Sequence, residues 1–118
     1  MRPDRLSQTA RQTIAAASRA ERLLLSVISV WEFCKLVEKG RLGIAGDPEA
    51  WIEQALSMPG LRLVPLTPGV CFASTTLPPP LHNDPADQII AATARKKKAT
   101  VLTADKLLRA YPHIRSTW

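Results

Sequence analysis

The sequence predicts a single α/β domain over residues 1–118 whose sheet is mostly parallel. The length of 118 residues is close to the commonest domain size, and 46% of the residues are apolar, as in an ordinary globular domain. Short apolar stretches alternate along the chain with amphipathic segments that carry helix-start signals. Strands that alternate with helices are typical of a parallel sheet covered by helices.

The first half of the chain predicts three helices and two strands. Leu6, Ala10 and Ile14 form one apolar stripe of the first helix, and "RLLLSVIS" is typical of a buried strand. The predicted elements are a helix over 5–20, a strand over 22–29, an amphipathic helix that ends at Gly40, a helix opened by Asp47 and Pro48, and a strand over 61–66. Pro65 places that last strand at an edge or ends it.

The second half begins with a short helix opened by Thr67 and Pro68. "PPPLHN" (78–83) is a connector that cannot be helical, because proline lacks the amide proton and restricts the residue before it. The predicted elements that follow are the helix "DPADQIIAATARKKK", the strand 99–105, the helix "KLLRAY" and a last strand in the tail "HIRSTW".

Four carboxylates lie at predicted helix starts: Glu32, Asp84, Asp87 and Asp105. The carboxyl ends of parallel strands meet at one edge of a sheet, so this topology predicts that the four come together there. Each also has a purely structural interpretation. Ser29 and Glu32 match the capping box S-x-x-E, Asp84 and Asp105 are good N-caps, and Asp87 suits the positive end of a helix dipole.

As a group, the acids favour a metal site. Carboxylate oxygens are the ligands of hard cations such as Mg²⁺ and Mn²⁺, which activate water and stabilise charge on a phosphodiester. His82 and His113 lack metal-ligand spacing; we expect His82 to lie near the site or in a loop without binding the metal, and His113 to be exposed. The sequence contains no glycine-rich phosphate loop and no G-x-S-x-G motif.

Charge and composition restrict the cellular setting and the partners. The net charge of +6 and a pI near 9.9 suit a polyanionic partner such as RNA, DNA or an acidic protein segment, and suit a solvated basic surface equally well. For the run Arg95–Lys98 we favour the interpretation of a solvated helix end. No apolar run approaches the ~20 residues that span a bilayer, and the start is not a secretory signal. Cys34 and Cys71 predict buried free thiols, so we expect a cytoplasmic protein without a membrane anchor.

Several segments together resemble PIN-domain proteins of the VapC toxin type. The segments are "SVISVWEFCKLVEKGRLGI", "LVPLTPGV", "LPPPLHNDPADQIIAATA" and "TVLTADKLLRAYPHIRSTW". The resemblance runs from about residue 22 to the end of the chain. It implies a three-layer α/β/α fold, Mg²⁺- or Mn²⁺-dependent ribonuclease activity on RNA, neutralisation by a VapB-like antitoxin, and a homodimer.

The resemblance also implies roles for individual residues. Glu32, Asp87 and Asp105 match the family's catalytic and metal-binding acids, and Asp84 matches the additional aspartate of the H-x-D-P-x-D subgroup. Thr103 matches a hydroxyl residue near the metal. Asn83 stands where the subgroup often has arginine, which weakens an expected phosphate contact.

The start of the sequence departs from the family pattern. Family members begin with a central strand that ends in an aspartate ligand, and "MRPDRLSQTARQTI" resembles the segment after that strand. Asp4 does not replace this ligand, because no apolar strand precedes it. We therefore expect one of the family's four metal-site acids to be missing. We also expect an open sheet edge, which makes this chain less stable than an intact relative and recruits a partner that covers the edge.

Three functions follow from these observations. The first is a metal-dependent endoribonuclease toxin of a VapBC-type module. The alternative is a catalytically impaired, truncated PIN homologue that binds an antitoxin or another copy of itself. A plain basic nucleic-acid-binding module is the weakest, because it leaves the acids unexplained and few aromatic residues are available for stacking.

Overall fold

The computed structural model describes residues 6–41 and 43–118. Within this part, the chain forms two units. The first is Gln12–Pro65, and the second joins the segment up to Arg11 with Leu66–Trp118. The single domain over 1–118 stays a prediction, and Asp4 lies outside the described residues.

The first unit contains one parallel strand pair and its helices. Its elements are the larger part of α1 (Gln8–Arg19), then β1 (Leu23–Ser26), α2 (Val27–Glu38), α3 (Pro48–Leu56) and β2 (Leu61–Val64). Strand β1 pairs with β2 in parallel, with Leu23 opposite Leu61 and Ser26 opposite Val64. Strand β2 stops directly before Pro65, two residues short of the predicted range 61–66, which is one of the two roles predicted for this proline.

The boundary between β1 and α2 differs from the prediction. The N-cap of α2 is Ser26, whose side chain accepts a hydrogen bond from the Ile28 amide at 3.2 Å. The strand therefore ends three residues earlier than predicted, and Ser29 lies inside the helix. The predicted capping box of Ser29 and Glu32 is wrong, because Ser26 already caps the amides that a later cap would have to satisfy.

The turn before β2 requires its glycine. Gly60 has φ +77°, and a Cβ atom there would lie 2.1 Å from the carbonyl oxygen of Ser18 at the end of α1. The Ser18 hydroxyl donates to the carbonyl oxygen of Pro59 at 2.5 Å. The first unit is also held by the stacked rings of Phe33 and Trp51, whose centroids are 4.5 Å apart.

The second unit contains the other parallel strand pair. Its elements after α1 are α4 (Pro68–Ser74), α5 (Pro85–Lys97), β3 (Thr100–Leu102), α6 (Lys106–Ala110) and β4 (Arg115–Thr117). Strand β3 pairs with β4 in parallel, with Thr100 opposite Arg115 and Leu102 opposite Thr117. The last strand predicted from the tail is therefore present.

The core of the second unit is built around α5. Small side chains at Ala91, Ala92 and Ala94 are buried, and α4 packs against this helix. Leu108 of α6 and Tyr111 are 2% and 3% exposed. The Tyr111 hydroxyl donates to the carbonyl oxygen of Pro78 at 2.5 Å, which ties the proline-rich connector to this core.

The predicted α/β class and the parallel pairing of strands are confirmed. The expectation of buried thiols is wrong, because Cys34 and Cys71 are both free and exposed. Both lie on helix faces that the neighbouring elements leave uncovered. No helix among residues 6–41 and 43–118 is long and apolar enough to cross a membrane.

Candidate metal centre

The start of α5 places two carboxylates close together. Asp84 is the N-cap, and its Oδ1 accepts a hydrogen bond from the Asp87 amide at 3.1 Å. Pro85 occupies the first helical turn, where its missing amide proton costs no hydrogen bond. The local sequence therefore fixes Asp87 in the first turn, directly beside the capping carboxylate.

His82 completes this group from the connector before α5. Its Nε2 lies 2.6 Å from Oδ2 of Asp87, and the two side chains are only 22% and 12% exposed. The carbonyl oxygen of His82 accepts from the Asp84 amide at 3.0 Å, which holds the histidine next to the helix start. Sequence reasoning placed His82 near the site but missed this contact. The spacing H-x-D-P-x-D was the signal that could have indicated it.

The three side chains form a possible cation site. Ligand atoms of His82, Asp84 and Asp87 all lie within 4.8 Å of one another. The described hydrogen bonds use one oxygen of each aspartate, so the second oxygen of each can face a cation. Two carboxylates suit Mg²⁺ or Mn²⁺, and imidazole is also acceptable to Mn²⁺. The chemistry of the donor set therefore fits a divalent metal.

Burial perturbs the central carboxyl of this group. Desolvation raises the pKa of Asp87, and the negative charges of Asp84 and Asp105 raise this pKa further. The hydrogen bond from His82 and the charge of that histidine act in the opposite direction, without reversing the shift. Because burial and neighbouring acids disfavour a lone negative charge, this carboxyl binds a proton or a metal ion more readily than an exposed aspartate does.

Asp105 and Thr103 lie in the loop between β3 and α6. Asp105 caps α6, where its Oδ1 accepts from the amides of Leu107 and Leu108 at 2.8 and 3.3 Å. The Thr103 hydroxyl oxygen accepts from the Asp105 amide at 3.0 Å and so holds the aspartate in place. Asp105 is exposed, and its charge reaches Asp87 strongly enough to raise the pKa of that carboxyl.

Asn83 and Glu32 are the remaining predicted site residues. Asn83 is exposed, and its Oδ1 accepts from Nε2 of Gln88 at 3.4 Å. Glu32 is half-buried on the second turn of α2, in the first unit. Its part in the site stays a prediction.

The basic run at the other end of α5 has the structural role that the sequence favoured. Arg95, Lys96 and Lys97 occupy the last turn, where cations complement the helix dipole. Nη1 of Arg95 donates to the carbonyl oxygen of His113 at 2.8 Å. His113 itself is exposed, as predicted.

The PIN-domain family matches residues 1–114 of the chain. The chain therefore belongs to the PIN-domain family, which agrees with the parallel α/β elements and the acidic cluster described above. Among characterised proteins it is similar to Ribonuclease VapC22 of Mycobacterium tuberculosis. The two are 34% identical over 113 residues, which cover 96% of this chain and 83% of that protein.

Proposed function

We propose that this chain is a metal-dependent endoribonuclease toxin of the VapBC type, which hydrolyses phosphodiester bonds of RNA. The observation that supports the proposal best is the group of His82, Asp84 and Asp87, whose ligand atoms lie within 4.8 Å of one another in a PIN domain. The similarity to a VapC ribonuclease points to the same activity. The net charge of +6 suits a phosphate-backbone substrate.

In this proposal, Asp84, Asp87 and Asp105 would hold Mg²⁺ or Mn²⁺, and Glu32 stays the further acid that the family resemblance implies. The bound cation supplies an activated water and neutralises charge on the phosphodiester. Asp87 is the central ligand, because it is buried and because its pKa responds to both neighbouring aspartates. Thr103 supports Asp105 through its hydrogen bond, and Asn83 lies beside the site without a charge to offer a phosphate.

His82 acts in this scheme as a positioning residue and not as a third ligand, because its Nε2 is engaged by Asp87. Its 2.6 Å contact fixes one oxygen of Asp87 and leaves the other available for a cation. A carboxylate held in this way loses little rotational freedom when it binds a metal. Substitution of His82 should therefore weaken metal affinity by roughly 10- to 100-fold, the usual effect of removing a residue that orients a ligand.

The partners and setting belong to the same proposal. A VapB-like antitoxin would neutralise the chain, which would act as a homodimer in the cytoplasm. The relative's name as a VapC ribonuclease supports the antitoxin as a partner.

The test is the cleavage of RNA by the purified chain with Mg²⁺ and with EDTA. We expect cleavage only with Mg²⁺, and a loss on the order of 100-fold or more in Asp87→Asn, because a bound cation contributes several kcal/mol of charge stabilisation. Asp47→Asn is the matched control. It makes the same chemical change at the N-cap of α3, where asparagine also caps well.

Three results would count against the proposal. One is cleavage that persists in EDTA. The second is a rate that Asp87→Asn leaves equal to that of Asp47→Asn. The third, a wild-type chain that is folded and inactive with both Mg²⁺ and Mn²⁺, would favour the impaired homologue instead.

A further inference from the structure

The second unit contains a groove of about 750 Å³ beside the candidate metal centre. The proline-rich connector contributes Leu77 and Pro80, and α6 contributes Leu107 and Ala110. Tyr111 also lines it, and its hydrogen bond to Pro78 fixes the connector relative to the core. This hydrogen bond reduces the ordering of the connector that a ligand would have to impose.

The lining is apolar but offers several hydrogen-bond acceptors. It contains no Asp, Glu, Lys or Arg side chain, so it does not suit a phosphate group. The hydroxyls of Ser74 and Thr75 donate to carbonyl oxygens one turn back, at 2.7 Å each, which leaves their oxygens as acceptors. The Gln88 amide nitrogen is directed to the connector, at 3.4 Å from two oxygens, which leaves its Oε1 as a third acceptor.

A flat, neutral ring with N–H donors on its edge matches this lining. Nucleobases have apolar faces and are bound by proteins through stacking and through hydrogen bonds to their edges. Adenine, cytosine and guanine carry an exocyclic amino group with two N–H donors, whereas the edge of uracil offers a single N–H, at N3. Because the side-chain oxygens of the groove accept, the lining favours a base that carries an amino group.

The groove is continuous with the candidate metal centre. His82 lines the groove and also contacts Asp87, and Gln88 is the next residue along α5. At the other side, α6 begins directly after Asp105. A base lies one sugar away from its phosphate, so a nucleotide with its phosphate at the acids can extend its base into the groove.

Charge beside the groove favours RNA over an apolar protein segment. Lys106 and Arg109 are exposed on α6, next to the lining residues Leu107 and Ala110. Cations that flank an uncharged groove attract the phosphates on either side of an inserted base. We propose that this groove binds one unstacked RNA base that carries an exocyclic amino group. The inference rests on the proposed function for the identity of RNA as the ligand.

The test compares two RNAs of equal length and charge. Fluorescently labelled oligocytidine and oligouridine 12-mers would be titrated with the full chain in EDTA at pH 7.5 and low salt, with anisotropy as the readout. We expect the oligocytidine to bind roughly fivefold more tightly, as one well-placed hydrogen bond in a stacked site provides. An oligocytidine with abasic sites should lose this advantage.

Two variants of the groove and one control complete the design. Ala110→Trp fills the groove from the exposed end of α6, and Leu107→Ala removes a lining side chain that is 58% exposed. Both should reduce the preference for cytidine to less than twofold. Phe72→Ala truncates a side chain that is 71% exposed and does not line the groove, so it should leave the preference unchanged. Circular dichroism would verify that all variants fold.

The outcomes separate this inference from the proposed nuclease activity. Equal binding of both oligomers, or a preference that both groove variants retain, would overturn the groove as a base site even if Mg²⁺-dependent cleavage is observed. Groove variants that bind both RNAs normally but lose a purified antitoxin would also overturn it and would assign the groove to a protein partner. A cytidine preference that the variants abolish would support the groove even if no cleavage is found.

Discussion

The contact between His82 and Asp87 makes the sharpest energetic prediction of the structure. The distance of 2.6 Å and the low exposure of both side chains, 22% and 12%, indicate a charge-assisted hydrogen bond that is partly shielded from water. Such bonds contribute about 1.5–3 kcal/mol when buried. Because both groups keep some contact with solvent, we expect a value near the lower limit, about 1.5 kcal/mol.

A double-mutant cycle isolates this contribution. His82→Ala, Asp87→Ala and the double variant would be unfolded with urea at pH 7 in EDTA, so that no metal contributes. If the free energy of unfolding falls by about 1.5 kcal/mol per molar urea, a coupling of this size corresponds to a difference of roughly 1 M urea between the midpoint shift of the double variant and the summed shifts of the single variants. The cycle subtracts the effect that each truncation has by itself, including the stability gained when Asp87→Ala removes a buried charge.

The refuting result is a coupling free energy within about 0.3 kcal/mol of zero, because the free-energy changes of two sites that do not interact add to within about that amount. That value would mean that the two side chains do not interact in solution. His82 would then have no positioning role, and the proposed orientation of the Asp87 carboxylate would lose its basis.

Three further predictions concern charge, backbone and metal. Desolvation is the main cause that raises the pKa of Asp87. The folded state is therefore most stable below the ordinary aspartate pKa, where Asp87 is neutral, and loses stability as pH rises through the raised pKa and the buried carboxyl becomes charged. In urea unfolding with EDTA, Asp87→Asn should be more stable than the wild type at pH 7 and equally stable at pH 3. Gly60→Ala should lower the free energy of unfolding by about 3 kcal/mol or more, because of the left-handed backbone and the 2.1 Å approach to Ser18. The control Gly40→Ala, at φ +68° with open space around it, should lower it by about 1 kcal/mol. Equal losses would refute the close packing at Gly60. Mg²⁺ at 100 times its dissociation constant should stabilise the wild-type chain by about 2.7 kcal/mol in a thermal melt, and an equal effect on Asp87→Asn would place the ion elsewhere.

Local signals in the sequence predicted much of the candidate site. Asp84 caps α5 with Pro85 behind it, and Asp105 caps α6, as the sequence indicated. Both predictions succeed because an N-cap depends on a few consecutive residues and on backbone amides that every helix leaves unpaired.

Features that depend on tertiary structure were predicted less well. Val27 and Ile28 are β-branched and suit a strand, but Ser26 caps a helix at that point, so the boundary was placed too late. Cys34 was expected to be buried, and its exposure is decided by which neighbours cover α2. The contact of His82 with Asp87 depends on the path of the connector 78–83, which no periodicity in the sequence encodes.

The central claim is that the carboxylates at the start of α5 hold a divalent metal, and Mn²⁺ binding tests it most directly. Electron paramagnetic resonance of metal-free chain titrated with Mn²⁺ reports bound ion independently of RNA cleavage. We expect one tightly bound Mn²⁺ per chain, lost in Asp87→Asn and retained in Asp47→Asn. The absence of bound Mn²⁺ in the wild-type chain, or equal binding by the two variants, would contradict the claim.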